Sequence, residues 1–356
     1  MNIEKEVLIM KAAFLHGMND LRISEAKVPT INDQEILVKV KAAAICGTDI
    51  RMLKNGYKDV SEENPLILGH EISGVIEEVG KEVKNYKKGM RVAIAPNMGC
   101  GVCDRCVSGN THLCEDYKAF GINLDGGFAE YLKVPAPAVN QGNLVELEKE
   151  ISFEEAALIE PLSCVFNGQS RVNIQMGETV LIVGAGPIGI MHAFLAKIQG
   201  ATKIFVNDLS SDRLALCKEL DPSIITVTSD ELKEKIMAET KGLGVDVSII
   251  AAPSPEAQSA AIELMNMNGR VLFFGGVPKD RENVLLNSNT IHYKQLAVHG
   301  SARASLIQYR TSLSLVSNGL IPIEKLISNR FKLEDAKEAF KKAADANGLK
   351  NVICFE

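Results

Sequence analysis

Hydrophobic and polar positions follow two different rules along this chain, and the rule changes near residue 151. Before it, the apolar runs are short. Residues 35–45, EILVKVKAAAI, alternate as a half-buried strand does, and residues 128–134, FAEYLKV, alternate again. Residues 72–79 and 91–95 are brief apolar runs beside glycine or proline. Short strands joined by irregular turns predict a partly open, barrel-like β domain.

Residues 151–157, ISFEEAA, open a helix, with Ser152 as cap and Glu155 three residues later. From residue 179, strands and helices alternate. Strands are expected at 179–183, 203–207, 224–227, 245–251, 270–274 and 296–300, with helices such as 211–220 and 255–266 between the first five. That alternation predicts crossover units and a six-stranded parallel sheet covered on both faces. The last apolar segment, NVICF, is expected to return to the first domain. The expected division is therefore 1–160 with 303–356 as one domain and 161–302 as the other.

Composition narrows the function. A length of 356 residues suits two domains, and 46% hydrophobic with 24% charged residues is ordinary for a globular chain. A net charge of -6 argues against a broad nucleic-acid surface. The longest apolar stretch, 179–196, is broken by three glycines and a proline, and reads as strand, turn and helix instead of a membrane span. The N-terminus, MNIEKEVLIMKAAFLHG, lacks the form of a secretory signal. Eight cysteines without such a signal imply a reducing, cytoplasmic setting, where clustered cysteines bind metal more often than they pair.

Three groups of residues carry candidate chemistry. The first is Gly184-Ala185-Gly186-Pro187-Ile188-Gly189, a G-x-G-x-x-G that follows an apolar strand and opens a helix. Gly184 permits the tight turn, Gly186 admits a pyrophosphate, and Gly189 lets helix and strand pack closely. Free N–H groups at the helix start then face the phosphates. Asp208, at the end of the next strand, suits a ribose 2′-hydroxyl and repels a 2′-phosphate, which favours NAD over NADP; Arg213 lies near enough in sequence to meet a phosphate.

The second group is Cys100, Cys103, Cys106 and Cys114, four thiols within fifteen residues. Four thiolates satisfy zinc tetrahedrally and leave no open position, so the site reads as structural. An iron–sulfur cluster or a redox disulfide would use the same residue type. The third group is scattered: Cys46 in CGTD, His70 and Glu71 in GHE, and Glu160 in EPL. Together they offer a thiolate, an imidazole and carboxylates, and a catalytic zinc requires three such ligands and one open position.

The combination of ICGTD at 45–49, GHE at 69–71, the four-cysteine segment, DGGFAEY at 125–131, EPL at 160–162, GAGPIG at 184–189 and DLSSDRL at 208–214 resembles the zinc-containing medium-chain dehydrogenases/reductases, in their sorbitol and polyol dehydrogenase branch. The resemblance spans essentially the whole chain. It implies an α/β plus β architecture: a GroES-like catalytic domain and a Rossmann domain, with the active site in the cleft between them. Two zinc ions per chain and NAD are the implied cofactors.

By the same resemblance Cys46 and His70 would hold the catalytic zinc, with Glu71 or Glu160 as third ligand, directly or through water. Thr48 would bond the substrate oxygen, and Asp49 would brace the ligands from behind. The implied reaction is the reversible oxidation of a secondary hydroxyl of a small polyol to a ketose. Polyol phosphates and L-threonine are the neighbouring alternatives, and a non-catalytic nucleotide-binding protein the distant one. Many relatives carry histidine three residues after the threonine as a proton outlet, but this chain has Arg51, which stays protonated and cannot accept that proton. Arg51, Tyr57, Phe120 and Arg303 are the candidate substrate residues. Neither a nucleic-acid nor a membrane partner is expected, and relatives suggest a homodimer or homotetramer.

Overall fold

The computed structural model describes residues 8–346 and 348–356. Two compact units divide the chain: Met1–Ser163 with Ala304–Glu356, and Cys164–Arg303.

The first unit is built on β-strands. Its largest sheet runs in the order Leu144–Glu146, Arg91–Ile94, Glu71–Val79, Ile36–Ala44, Lys350–Cys354, Ile327–Phe331, with Tyr131–Val134 also pairing with Ile36–Ala44. Every pairing in it is antiparallel except that of the last two strands. A second sheet orders Asp20–Lys27, Ile9–Gly17 and Leu66–Ile67. Alternation drives this arrangement: Ile36, Val38, Val40, Ile72, Ile76, Val92 and Ile94 are all buried, in one core with Phe128 and Phe340. The final strand indeed returns here, with Val352 opposite Ala44 and Ile353 opposite Ala43.

The alternating stretch at 128–134 does not form one strand. Only Tyr131–Val134 joins the large sheet; Ala129 bridges Ala12, and the Phe128 carbonyl accepts a hydrogen bond from the Ala13 N–H at 2.8 Å. One alternating run therefore serves two sheets, because both need the same in–out pattern.

The second unit is a six-stranded parallel sheet in the order Ile225–Val227, Lys203–Asn207, Thr179–Val183, Val245–Ile250, Met265–Phe273, Ala297–Gly300. Its central strands are near-continuous hydrophobic runs, as two covered faces require; Leu181, Phe205, Val245, Ile250 and Val271 share one core. The order reverses direction between Thr179–Val183 and Val245–Ile250, and ligands of such sheets bind outside the strand ends at that reversal. One boundary differs from expectation. The helix expected to reach residue 266 ends at Glu263, and the fifth strand starts at Met265 instead of 270. The segment MNMNG is an irregular entry to the strand: Asn268 takes φ 61°, and the register slips between Val245 and Val247. Among the described residues no helix is long and apolar enough to cross a membrane.

Candidate active site and metal centres

The catalytic candidates of the first unit are placed by two chain reversals. Cys46 is the N-cap of the helix Gly47–Asn55, with φ −104° and ψ 153°. Its N–H donates to Asp49 Oδ2 at 2.9 Å, which locks the first turn. His70 and Glu71 sit where the chain enters the strand Glu71–Val79. That entry requires Gly69: it takes φ +96°, and a Cβ there would meet the Phe128 ring at 3.0 Å.

These reversals bring Cys46, His70 and Glu71 together, with one ligand atom from each lying within 4.8 Å of the others. His70 and Glu71 are buried, and Asp49 is fully buried behind them with Oδ1 3.4 Å from His70 Nδ1. Burial works against a charged His70, yet the Asp49 carboxylate and the Cys46 sulfur outweigh it and raise its pKa well above the ordinary value. Soft, borderline and hard donors also converge there, and His70 Nδ1, Asp49 Oδ1 and Glu71 Oε2 lack aligned hydrogen-bond partners. This donor set fits a divalent zinc ion.

Glu160, the other carboxylate expected near the metal, is buried in the first turn of the helix Ile159–Val172 but stands outside that group of three. It and Glu71 both act on the buried hydroxyl of Tyr309, whose pKa is pushed well up, first by burial and then by these two carboxylates.

Lys350 is the residue that sequence reasoning missed. It opens the last strand, is 4% exposed, and its Nζ donates to Glu71 Oε1 at 2.7 Å and to the Ile45 carbonyl at 2.8 Å. Glu71 Oε2 is 2.5 Å from the same nitrogen. Burial opposes the ammonium, but Glu71 and Cys46 overcome it and raise the Lys350 pKa, so the pair stands as a buried ion pair. The available signal was weak: a lysine and an asparagine open an otherwise apolar strand.

Thr48, half-buried in the first turn of the helix, accepts a hydrogen bond from Arg51 Nη2 at 3.0 Å. Tyr57 lies beyond the helix and is 39% exposed. Phe120 is packed in the hydrophobic core of this unit and is not carried further as a substrate residue. Arg303 closes the second unit; it is exposed at φ 57°, and its carbonyl accepts from Asn167 Nδ2 at 2.8 Å.

The four-cysteine segment folds back on itself, so that its sulfurs all lie within 4.8 Å of one another. Cys100 and Cys106 sulfurs are 4.0 Å apart, those of Cys103 and Cys114 3.8 Å, and all eight cysteines are free thiols. Backbone N–H groups of Val102 and Cys103 draw Cys100 down to about 7, while burial pushes Cys106 up to about 12. Four sulfurs at this spacing fit one tetrahedral ion with no position to spare.

In the second unit the glycine turn has the form its sequence requires. Gly184 takes φ +112°, Gly186 is the N-cap of the helix Pro187–Ile198, and a Cβ on Gly189 would stand 1.7 Å from the Gly184 carbonyl oxygen. Ile188 follows Pro187 in the first turn. Asp208 Oδ2 accepts the Ala185 N–H at 2.7 Å and Oδ1 the Ser210 N–H at 2.9 Å, which aims its carboxylate across the turn. The Arg213 guanidinium is 3.9 Å from where a Gly186 Cβ would be. Uncovered helix N–H groups, a cation and an oriented carboxylate therefore meet at one turn, an arrangement that fits the diphosphate and ribose of a dinucleotide.

Comparison with known proteins accords with both halves. Residues 32–143 match the alcohol dehydrogenase GroES-like domain, and residues 187–318 the zinc-binding dehydrogenase domain. The sorbitol dehydrogenase of Bacillus subtilis (strain 168) is 34% identical over 337 residues, covering 94% of this chain and 93% of that protein. This chain belongs to the zinc-binding alcohol dehydrogenases. Within that family the L-threonine 3-dehydrogenase of Vibrio parahaemolyticus is 31% identical, covering 89% of this chain and 91% of its own. The crystal structure of galactitol-1-phosphate dehydrogenase from Escherichia coli superposes with a TM-score of 0.86 at 27% identity, covering 97% of this chain and 100% of its own.

Proposed function

We propose that this dehydrogenase oxidises a secondary hydroxyl of a small polyol to a ketose, reversibly, with zinc held by Cys46, His70 and Glu71 and with NAD held at the glycine turn. The observation that carries the reading is the convergence of the Cys46 thiol with the buried His70 imidazole and Glu71 carboxylate within 4.8 Å, at the starts of the helix that carries Thr48 and of the strand Glu71–Val79, beside the Lys350 ammonium of the last strand. The likeness to a sorbitol dehydrogenase supports the polyol. When bound, zinc supplies Lewis acidity toward a hydroxyl oxygen and NAD accepts the hydride.

The protein's own groups do the rest. Thr48 accepts the proton of the substrate hydroxyl, and its own proton leaves toward solvent because Arg51 is a donor only. Asp49 holds the first turn and faces His70, fixing the ring. Lys350 keeps the Glu71 carboxylate charged in a buried place. Asp208 orients the ribose, and the N-terminus of Pro187–Ile198 receives the diphosphate. Cys100, Cys103, Cys106 and Cys114 hold a second, structural zinc.

The exposed strand Ala297–Gly300 at the end of the parallel sheet supports pairing with a second copy, as a homodimer or homotetramer, which light scattering tests. Eight free cysteines support a cytoplasmic setting, which cell fractionation tests. Turnover is followed as NADH absorbance with sorbitol, galactitol and L-threonine, with and without a zinc chelator. Chelator-sensitive oxidation of a polyol and two zinc ions per chain are expected. Turnover of L-threonine alone would replace the polyol reading, and one zinc per chain would remove the catalytic site.

A further inference from the structure

A cavity of about 450 Å³ opens in the first unit, and none of its lining residues belongs to either metal group. Two helix faces and a turn form its walls. Ile50, Leu53 and Lys54 come from the helix Gly47–Asn55, and Lys337, Phe340, Lys341 and Ala344 from the helix Ala336–Ala344. Each set has the spacing of residues that share one helix face. Asp20 and Leu21, at the start of the strand Asp20–Lys27, belong to the third wall. The floor is apolar: Leu21 and Phe340 are buried, and Ile50 and Leu53 are half-buried against the same core. The rim is cationic, with Lys54, Lys337 and Lys341 all exposed. Lys337 and Lys341 stand one helical turn apart, where like charges repel. Asp20 is the single acid in the lining, and its two oxygens accept from Arg22 at 2.9 and 2.5 Å. Its pKa is lowered first by that Arg22 bond and only last by Lys337. Glu338, on the lysine-bearing helix, pairs with Lys342 instead, at 3.6 Å. The cleft thus sets three ammonium groups over an apolar floor, and its one carboxylate is already engaged.

We propose that this cleft binds a small amphipathic anion, an aliphatic chain that ends in a carboxylate or a phosphate monoester. Its volume falls within the roughly 300–1,000 Å³ of small-molecule sites, which pair apolar walls with a few polar groups. The chain covers Leu21, Leu53 and Phe340 and takes their outer edges from water. The head group meets the lysines, whose carbon stems extend the apolar wall while their ammonium groups stay at its rim. An ammonium is a point charge without the planar fork of a guanidinium, so it accepts either head group. A neutral chain would leave the three charges unanswered, and a bare anion would leave the floor in water. One wall is the helix capped by Cys46 and carrying Thr48 in its first turn, so an occupant steadies the last turn of that helix. The proposal stands apart from the polyol reading, because that mechanism uses none of the lining residues.

The test is calorimetric titration of the zinc-loaded full chain, without NAD, with octanoate, octyl phosphate, octan-1-ol and inorganic phosphate. At least one octyl anion should bind saturably, and octan-1-ol and inorganic phosphate about tenfold more weakly or not at all. An exposed ion pair is worth up to about fivefold in affinity, so the double variant Lys337→Gln, Lys341→Gln should weaken the octyl anion by about tenfold. Added salt should weaken it as well. Ala344→Trp, at an exposed position, fills the cleft and should weaken the same anion while the circular dichroism spectrum stays that of wild type. Hydrogen exchange at Leu53–Asn55 and Phe340–Ala344 should slow when the anion is bound. Tighter octyl phosphate assigns a phosphate head group, and tighter octanoate a carboxylate. Equal affinity for octan-1-ol and the anions overturns the proposal, since the groove would then be apolar only. Equal affinity for inorganic phosphate and octyl phosphate also overturns it, leaving a basic patch. Binding that survives both variants lies elsewhere and overturns it, as does the lack of saturable binding by either octyl anion.

Discussion

Replacing Lys350 with methionine removes an ammonium from a place where water cannot substitute for it. The side chain is 5% exposed and that of Glu71 is fully buried, so the discount that applies to exposed ion pairs does not apply here. Lys350 contacts both Glu71 oxygens and the Ile45 carbonyl. Methionine fills most of the volume but leaves a buried carboxylate without its partner. Removing one member of such a pair costs about 3–5 kcal/mol. The cost should depend on metal. With a divalent ion held beside Glu71, part of the lost charge is replaced; without it, none is. Urea unfolding followed by circular dichroism, on chelator-treated and zinc-loaded protein, should therefore show the larger loss in the metal-free form. Adding Glu71→Gln should recover part of it, because the double variant no longer buries an unpaired charge. The reasoning is refuted if Lys350→Met unfolds within about 1 kcal/mol of wild type without metal, or if the two substitutions cost their sum.

Three further outcomes are expected. Asp208→Ala removes the acceptor for the Ala185 and Ser210 N–H groups and should lower kcat/KM for NAD by about 10- to 100-fold while narrowing the margin over NADP; unchanged coenzyme kinetics would refute the ribose assignment. Cys103→Ser should release one zinc per chain and keep the other, read by metal analysis, because its sulfur belongs to the four-cysteine group alone. His192 is buried in the second unit and held neutral, its pKa lowered to about 3 by burial. Its folded-state pKa lies below that of the unfolded chain, so it has no effect above pH 6.5 and destabilises progressively as pH falls below that, by about 1.4 kcal/mol per unit. Between pH 7 and 5, wild type should therefore lose more unfolding free energy than His192→Gln, and equal losses would show that His192 does not titrate on unfolding.

The parallel sheet was legible almost residue by residue because its central strands, such as Thr179–Val183 and Val245–Ile250, are buried and bounded by turn formers, so that hydrophobicity alone marks their ends. The exception, Met265–Phe273, fails for a local reason: a positive-φ asparagine lets polar residues enter the strand early. The candidate site divides the same way. Cys46, Thr48, Asp49, His70 and Glu71 lie in short segments whose chemistry is set within a few residues, and those segments stand out in the sequence. The bond from Arg51 to Thr48 spans three residues of one helix turn and was within reach of spacing alone. The partner of Glu71 lies 279 residues away, and nothing near Lys350 marks it as buried.

The place of Lys350 bears on the choice between the two carboxylates that the sequence leaves open. Glu71 is the one gathered with Cys46 and His70, but both its oxygens already face a cation. Glu160 stands outside that group, near the Tyr309 hydroxyl, which has no hydrogen-bond partner among the described residues. A metal ion drawing on Glu71 must therefore share it with Lys350, and this weakens the carboxylate as a donor without removing it. The strand that delivers Lys350 is held by antiparallel pairing to Ile36–Ala44, the strand that leads directly into Cys46. The candidate ligands and their counter-cation thus hang on three neighbouring strands, Glu71–Val79, Ile36–Ala44 and Lys350–Cys354, and a shift in register between the last two would move thiol and ammonium apart. Separation of the two roles is visible in the Lys350→Met and Glu71→Gln pair described above: zinc affinity should rise in the first variant, where Glu71 is released, and fall in the second, where the carboxylate is gone.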